Sequence, residues 1–160
     1  MSLSDTDRGH LDRAVELAAD AVAAGDEPFG SVLVSPHGER LFEDHNHVSG
    51  GDQTQHPEFA IARWAAENLT PAERAAATVY TSGEHCAMCS AAHAWVGLGR
   101  IVFATSTTQL SAWRAELGAP ASPIAPLGIA QVAPSVPTDG PFEVYAERLR
   151  ALHAARVARG

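Results

Sequence analysis

The 160-residue chain has few cysteines, no long apolar run and no cluster of basic residues. Its two cysteines, Cys86 and Cys89, are too few for a disulfide framework and favour a thiolate pair in a reducing compartment. No apolar stretch is long enough to cross a bilayer, so no membrane association is expected. The 11 basic residues are dispersed and the net charge is −8, which disfavours a polyanionic partner such as nucleic acid. A small neutral substrate fits this acidic balance better.

The composition is that of an ordinary globular protein, with 46% apolar and 19% charged residues. The length suits one domain, and neither an internal repeat nor a domain boundary is visible. Residues 1–160 are therefore predicted to form a single domain. The first seven residues are polar and acidic, unlike a signal peptide, and a cytoplasmic location is expected.

Periodicity and turn residues predict alternating helices and strands. Helices are predicted over residues 4–24, 56–68, 86–98, 107–117 and 141–157, and strands over 30–35, 40–47, 78–81 and 100–105. The proline-rich segment 119–137 is predicted to hold one short strand, near 129–132, and to form a tail with the last helix. This order predicts an α/β fold, a three-layer α-β-α sandwich around a mixed five-stranded sheet.

Several other side chains are expected to have structural roles or to be exposed to solvent. The helical spacing of Trp64 and Trp95 predicts core positions. Glu84 is expected to cap a helix start, and His93 to be packed or partly exposed. Three further histidines are expected to be solvated: His10, His37 and His153.

Two predicted helix starts carry metal-ligand chemistry. Cys86 and Cys89 are three residues apart, so both sulfur atoms lie on one helix face. The helix N-terminus also favours the thiolate form of cysteine. His56 begins another helix, and one imidazole with two thiolates is a zinc ligand set that leaves a position open for water. The sequence therefore predicts a zinc centre at His56, Cys86 and Cys89 with about one ion per chain.

Glu58 lies two residues after His56, within reach of such a water but outside the ligand set. A carboxylate in this place can take a proton from water and pass it on, which predicts a general acid and base. Two other interpretations remain open. The cysteines match a thiol redox pair, which leaves His56 and Glu58 unexplained. A structural zinc site would need a fourth ligand, for which three histidines are available: His45, His47 and His93.

The motifs together resemble the cytidine deaminase-like superfamily, in particular its guanine, cytosine and tRNA adenosine deaminase branch. The resemblance extends over about residues 27–117. It rests on His56-Pro57-Glu58, on the C-A-M-C segment 86–89, on P-F-G at 28–30 and on N-H-V at 46–48. It implies the cytidine deaminase-like fold, zinc at His56, Cys86 and Cys89, and proton transfer by Glu58.

The resemblance also implies substrate contacts and two departures. Asn46 would bind the substrate ring, and Phe29 would border the pocket. His85 stands where the family has proline and could touch substrate instead. Pro57 replaces a small residue whose N–H can donate to substrate, and proline has no N–H. This loss suggests a ring other than plain guanine or cytosine.

The expected activity is hydrolytic deamination of an amino-substituted nucleobase, nucleoside or related heterocycle. A guanine-like substrate is favoured, with cytosine or cytidine next. A tRNA adenosine comes third because the acidic charge opposes RNA binding. The resemblance further implies a homodimer, whose C-terminal segment covers the site in cis or in trans.

Overall fold

The computed structural model describes residues 2–160, and its first helix begins one residue after the predicted start. Helix α1 (Asp5–Ala23) is capped by Ser4, whose Oγ accepts the N–H of Asp7 at 3.1 Å. Its apolar stripe, from Leu11 to Val22, is buried. Gly25 follows with φ of 89°, the left-handed conformation that ends helices.

The sheet has five strands in the order β2-β1-β3-β4-β5. The strands are β1 (Gly30–Val34), β2 (Arg40–His45), β3 (Thr78–Gly83), β4 (Ile101–Thr105) and β5 (Thr138–Asp139). Strand β1 pairs antiparallel with β2 and β3, whereas β3, β4 and β5 are parallel. The predicted mixed five-stranded sheet is confirmed.

The remaining helices cover both faces of the sheet. They are α2 (Pro57–Asn68), α3 (Pro71–Ala76), α4 (Ala87–Trp95), α5 (Thr107–Glu116), α6 (Ile129–Val132) and α7 (Ala146–Ala158). One core cluster joins α1, α5 and α7 to the sheet, and another joins α2 and the segment after α4 to its other face. The three-layer α-β-α sandwich is thus confirmed. No helix in residues 2–160 has the length and apolarity needed to cross a membrane.

The predicted strand at 129–132 is wrong, because this segment is the single helical turn α6. Gly128 N–H donates to the side chain of Gln131 at 2.9 Å, and Ile129 N–H donates to Glu84 at 2.8 Å. Ile129 is buried against β4. A short apolar run is buried equally well as a strand or a helix, and here the capping bonds favour the helix. The fifth strand lies at Thr138–Asp139 instead.

Three side chains differ from expectation. Trp95 is 89% exposed, because α4 buries the face that carries Cys89, Ser90 and His93 and ends at Trp95. His10 and His153 are only 9% and 4% exposed. They lie on the buried faces of α1 and α7, where the helices meet the sheet and each other.

Candidate metal centre and active site

The starts of two helices bring three ligand side chains together. His56 is the N-cap of α2, Cys86 is the N-cap of α4, and Cys89 follows in the first turn of α4. His56 Nδ1 lies 3.6 Å from the sulfur of Cys86 and 3.6 Å from that of Cys89. All three ligating atoms lie within 4.8 Å of one another. The structure therefore brings together the three residues predicted as metal ligands.

These distances fit one zinc ion. Zinc bonds of about 2.0 Å to nitrogen and about 2.3 Å to sulfur place tetrahedral N and S ligands roughly 3.6 Å apart. The two observed N–S distances equal that spacing. His56 and Cys86 are partly buried and Cys89 is fully buried, so the cluster has an inner wall and an accessible side. This arrangement suits a metal that exchanges ligands with solvent or substrate.

The histidines considered as a fourth ligand have other partners. His93 Nε2 lies 2.7 Å from the carbonyl oxygen of Gly99. His45 and His47 form a separate group with Asp26. Within residues 2–160 the group at His56 contains only these three potential ligands. This favours an open site over a four-ligand structural zinc site.

The two thiols have opposite pKa shifts. Hydrogen bonds from Cys89 and from His56 lower the pKa of Cys86 to about 4. The hydrogen bond to Cys86 and burial raise the pKa of Cys89 well above its ordinary value. The hydrogen bond to Cys86 also raises the pKa of His56. Cys86 is thus a thiolate at neutral pH, ready to bind a cation.

Glu58 lies in the first turn of α2 and is 5% exposed. Its Oε1 accepts the hydroxyl of Thr81 at 3.0 Å and that of Ser31 at 3.2 Å. Burial raises the pKa of Glu58, while His56 and Thr81 act in the opposite direction. A buried carboxyl with a raised pKa exchanges protons near neutral pH more readily than an exposed one.

Ser31 and Thr81 are not among the site residues predicted from the sequence. They are paired in register across β1 and β3, and their side chains are fully buried. The available signal was a hydroxyl residue inside an otherwise apolar strand, as in the buried segment G-S-V-L-V. A buried hydroxyl needs a partner. Here the shared partner is Oε1 of Glu58.

Asn46 is 2% exposed and holds the loop that follows β2. Its Oδ1 accepts the N–H of Val48 at 3.0 Å and that of Glu27 at 3.3 Å. Its amide nitrogen makes no hydrogen bond within residues 2–160 and keeps both N–H donors for another partner. Asn46 therefore has a supporting role in the loop, and its contact with a substrate stays a prediction.

Phe29 contacts the C-terminal helix of the same chain. Its ring meets that of His153 edge-on, with centroids 5.3 Å apart. Tyr145 and Leu149 anchor this end of the chain in the core beneath α1. The C-terminal segment thus lies against Phe29 in cis.

His85 is 1% exposed and packs edge-on against His93, with ring centroids 5.4 Å apart. Neither of its ring nitrogens has a hydrogen-bond partner within residues 2–160. Burial, and to a lesser extent His93, lower the pKa of His85 well below its ordinary value. A neutral ring with so little exposed surface fills space behind Cys86 in this structure.

Glu84 joins three segments. One carboxylate oxygen accepts the N–H of Thr107 at 2.8 Å, and the other accepts that of Ile129 at 2.8 Å. These N–H groups begin α5 and α6, so Glu84 caps both helices. Its expected capping role is confirmed.

Comparison with known proteins defines the family. Residues 4–105 match the family described as the cytidine and deoxycytidylate deaminase zinc-binding region. This match covers more than half of the chain, and the chain belongs to that family. The predicted membership in the cytidine deaminase-like superfamily is confirmed.

Individual relatives have different names. The chain is 34% identical over 108 residues to a probable cytosine deaminase of Schizosaccharomyces pombe, covering 68% of this chain and 65% of that protein. It is 36% identical over 101 residues to the guanine deaminase of Bacillus subtilis, covering 62% and 64%. The solved structure of Bacillus subtilis guanine deaminase matches with a TM-score of 0.57 at 25% identity, covering 90% of this chain and 91% of that one. The chain thus spans just under two thirds of the two curated relatives.

Proposed function

We propose that this chain is a zinc-dependent hydrolytic deaminase that removes an exocyclic amino group from a nucleobase-like ring. The observation that carries the proposal is the buried Glu58 carboxyl, two residues from His56 and held by two hydroxyls, next to a three-ligand metal cluster. A redox pair of cysteines would not need this carboxyl. Membership of the deaminase family supports the same chemistry.

Zinc held by His56, Cys86 and Cys89 would supply a Lewis acid that makes a water molecule more acidic. Glu58 accepts a proton from the attacking water and delivers it to a ring nitrogen. It then passes the second proton of that water to the amino group, which leaves as ammonia. A carbonyl thereby replaces the C–NH₂ group of the ring. The raised pKa of Glu58 suits both directions of proton transfer.

The favoured substrate is a guanine-like base, nucleoside or amino-heterocycle. Support comes from Phe29 and the P-F-G segment, and from the guanine deaminase relative. Asn46 would orient the ring through its amide N–H groups. Cytosine or cytidine is the second candidate, supported by the cytosine deaminase relative. The net charge of −8 disfavours a tRNA substrate.

We also propose a homodimer in a reducing compartment such as the cytoplasm. Trp95 is 89% exposed at the end of α4, the helix that carries both cysteines. An exposed tryptophan is the kind of side chain that protein interfaces cover. A reducing compartment would keep the thiols of Cys86 and Cys89 available to a metal.

The test is ammonia release from zinc-loaded protein over guanine, adenine, cytosine, their nucleosides and amino-triazines. Glu58→Gln is the matched control, since glutamine has the same shape and can still accept the bonds from Ser31 and Thr81. It should keep its zinc and lose roughly two to four powers of ten in turnover. Unchanged turnover in Glu58→Gln would remove this residue from the mechanism. No ammonia from any ring, with zinc bound, would contradict the proposed substrate class.

A further inference from the structure

A second group of potential metal ligands lies apart from the three described above. Asp26 lies between α1 and β1, His45 ends β2, and His47 follows two residues later. Their ligating atoms lie within 4.8 Å of one another, and the two imidazole centroids are 4.3 Å apart. Two imidazoles and a carboxylate are a common donor set for zinc and related divalent ions.

Hydrogen bonds fix which nitrogen of each imidazole is free. His45 Nδ1 lies 2.7 Å from the carbonyl oxygen of Asn46, and His47 Nε2 lies 2.8 Å from a carboxylate oxygen of Asp44. A carbonyl and a carboxylate oxygen only accept, so both of these ring nitrogens carry the proton. His45 Nε2 and His47 Nδ1 are then left with lone pairs. Metal-binding histidines are typically held in this way, by an outer carbonyl or carboxylate.

Asp26 is a buried carboxylate without a cationic partner. It is 3% exposed, and its Oδ1 accepts the N–H of Ser49 at 2.8 Å. No arginine in residues 2–160 forms an ion pair with it. A buried charge of this kind is costly unless a cation lies beside it.

We propose that Asp26, His45 and His47 form a second metal site, which binds a divalent ion of the zinc type without any thiolate ligand. Zinc bonds of about 2.0 Å require ligand atoms roughly 3.3 Å apart, somewhat closer than the 4.8 Å limit of this group. The His47 side chain is 49% exposed and the Asp44 side chain 26%, so this hydrogen-bonded pair can shift together to make the adjustment. Water completes the coordination from the exposed side.

The test is equilibrium dialysis of the full chain against a series of Zn²⁺ concentrations, with bound zinc counted per chain. The wild type should bind two ions. His47→Ala should bind the second ion at least about tenfold more weakly, as expected for loss of a ligand. Asp26→Asn should weaken the binding of the same ion, since it removes the negative charge but keeps an oxygen that accepts the Ser49 N–H. His37→Ala, at an exposed histidine in the turn before β2, is the matched control and should bind as the wild type does.

Cys86→Ser separates this proposal from the first centre. It should lose the ion at His56 and keep the second ion. Adding His47→Ala to this variant should then weaken the binding of the remaining ion. A wild type that saturates at one ion, together with a Cys86→Ser variant that binds none, would overturn the second site. A second ion that His47→Ala and Asp26→Asn both leave unchanged would overturn it as well.

Discussion

Acid should destabilise the protein through His153, which α7 holds against the sheet. The ring is 4% exposed and lies 5.3 Å from Phe29 and 6.1 Å from Trp113, between ring centroids. Burial, and to a lesser extent Arg114, lower the pKa of His153 from 6.5 to about 4. The folded protein therefore keeps this ring neutral at pH values where the unfolded chain protonates it.

The sign of the effect follows from proton binding. Between pH 6.5 and about 4 the unfolded chain binds more protons at this position, so stability falls as the pH falls through this interval. The two pKa values are about 2.5 apart, and at about 1.4 kcal/mol per pKa unit the full effect is about 3.5 kcal/mol. Most of it, about 2.5 kcal/mol, should already be lost at pH 4.5.

The assay is urea unfolding at pH 7 and pH 4.5 for the wild type and His153→Phe. Phenylalanine keeps an aromatic ring beside Phe29 and Trp113 but cannot take a proton. The loss of unfolding free energy between the two pH values should be about 2.5 kcal/mol smaller in the variant than in the wild type. Carboxyl groups with low pKa values, such as Asp7, affect both proteins equally and cancel. His37→Phe, at an exposed turn, should retain the wild-type pH dependence of stability. A His153→Phe variant that also retained it would contradict the role assigned to His153.

Three further predictions concern single side chains. Thr81→Val removes the hydroxyl that donates to Oε1 of Glu58. Losing a hydrogen bond of about 1.5–3 kcal/mol to a charged group should lower kcat by roughly 10 to 100-fold at unchanged zinc content. An unchanged kcat would mean that this hydroxyl does not position the carboxyl. Pro57→Ala supplies the missing N–H at the first position of α2, so kcat/KM on guanine or cytosine should rise. The free energy of unfolding, measured in urea, should fall by about 0.4–1 kcal/mol. Equal kcat/KM values for the variant and the wild type would show that this N–H donor does not contribute. Glu84→Ala should lower the free energy of unfolding by about 2–3 kcal/mol, because the N–H groups at two helix starts lose their acceptor. Glu84→Gln should lower it less, since one amide oxygen still accepts a hydrogen bond. Equal losses in the two variants would contradict the capping of both helices by Glu84.

Elements with local signals could be predicted from the sequence. The apolar stripe of α1 repeats at helical spacing between the cap at Ser4 and Gly25, and its bounds differ from the prediction by one residue at each end. The hairpin of β1 and β2 likewise lies between turn residues. In both cases nearby residues already mark the ends of the element, because the caps and turns satisfy the backbone groups there.

Elements stabilised by distant residues could not be predicted in the same way. The turn at Ile129–Val132 depends on Glu84, 45 residues earlier in the chain. The burial of His153 depends on contacts with Phe29 and Trp113. An exception is α3, which was missed although Thr70 and Glu73 form a capping box at its start. That signal was local and could have been used.

The predicted metal ligands and the hydroxyls that hold Glu58 also differ in whether nearby or distant residues place them. Cys86 and Cys89 share one helix turn, and His56 begins a helix two residues before Glu58, so short spacings already limit where these groups can lie. The hydroxyls that hold Glu58 are different, because Ser31 and Thr81 become neighbours only through the register of β1 against β3. A slip of that register by one residue would turn one of the two hydroxyls to the other sheet face and separate the pair that holds the carboxyl. The proposed reaction class therefore follows from local motifs, whereas the position of the Glu58 carboxyl, to which proton transfer is assigned, depends on strand pairing in the folded protein.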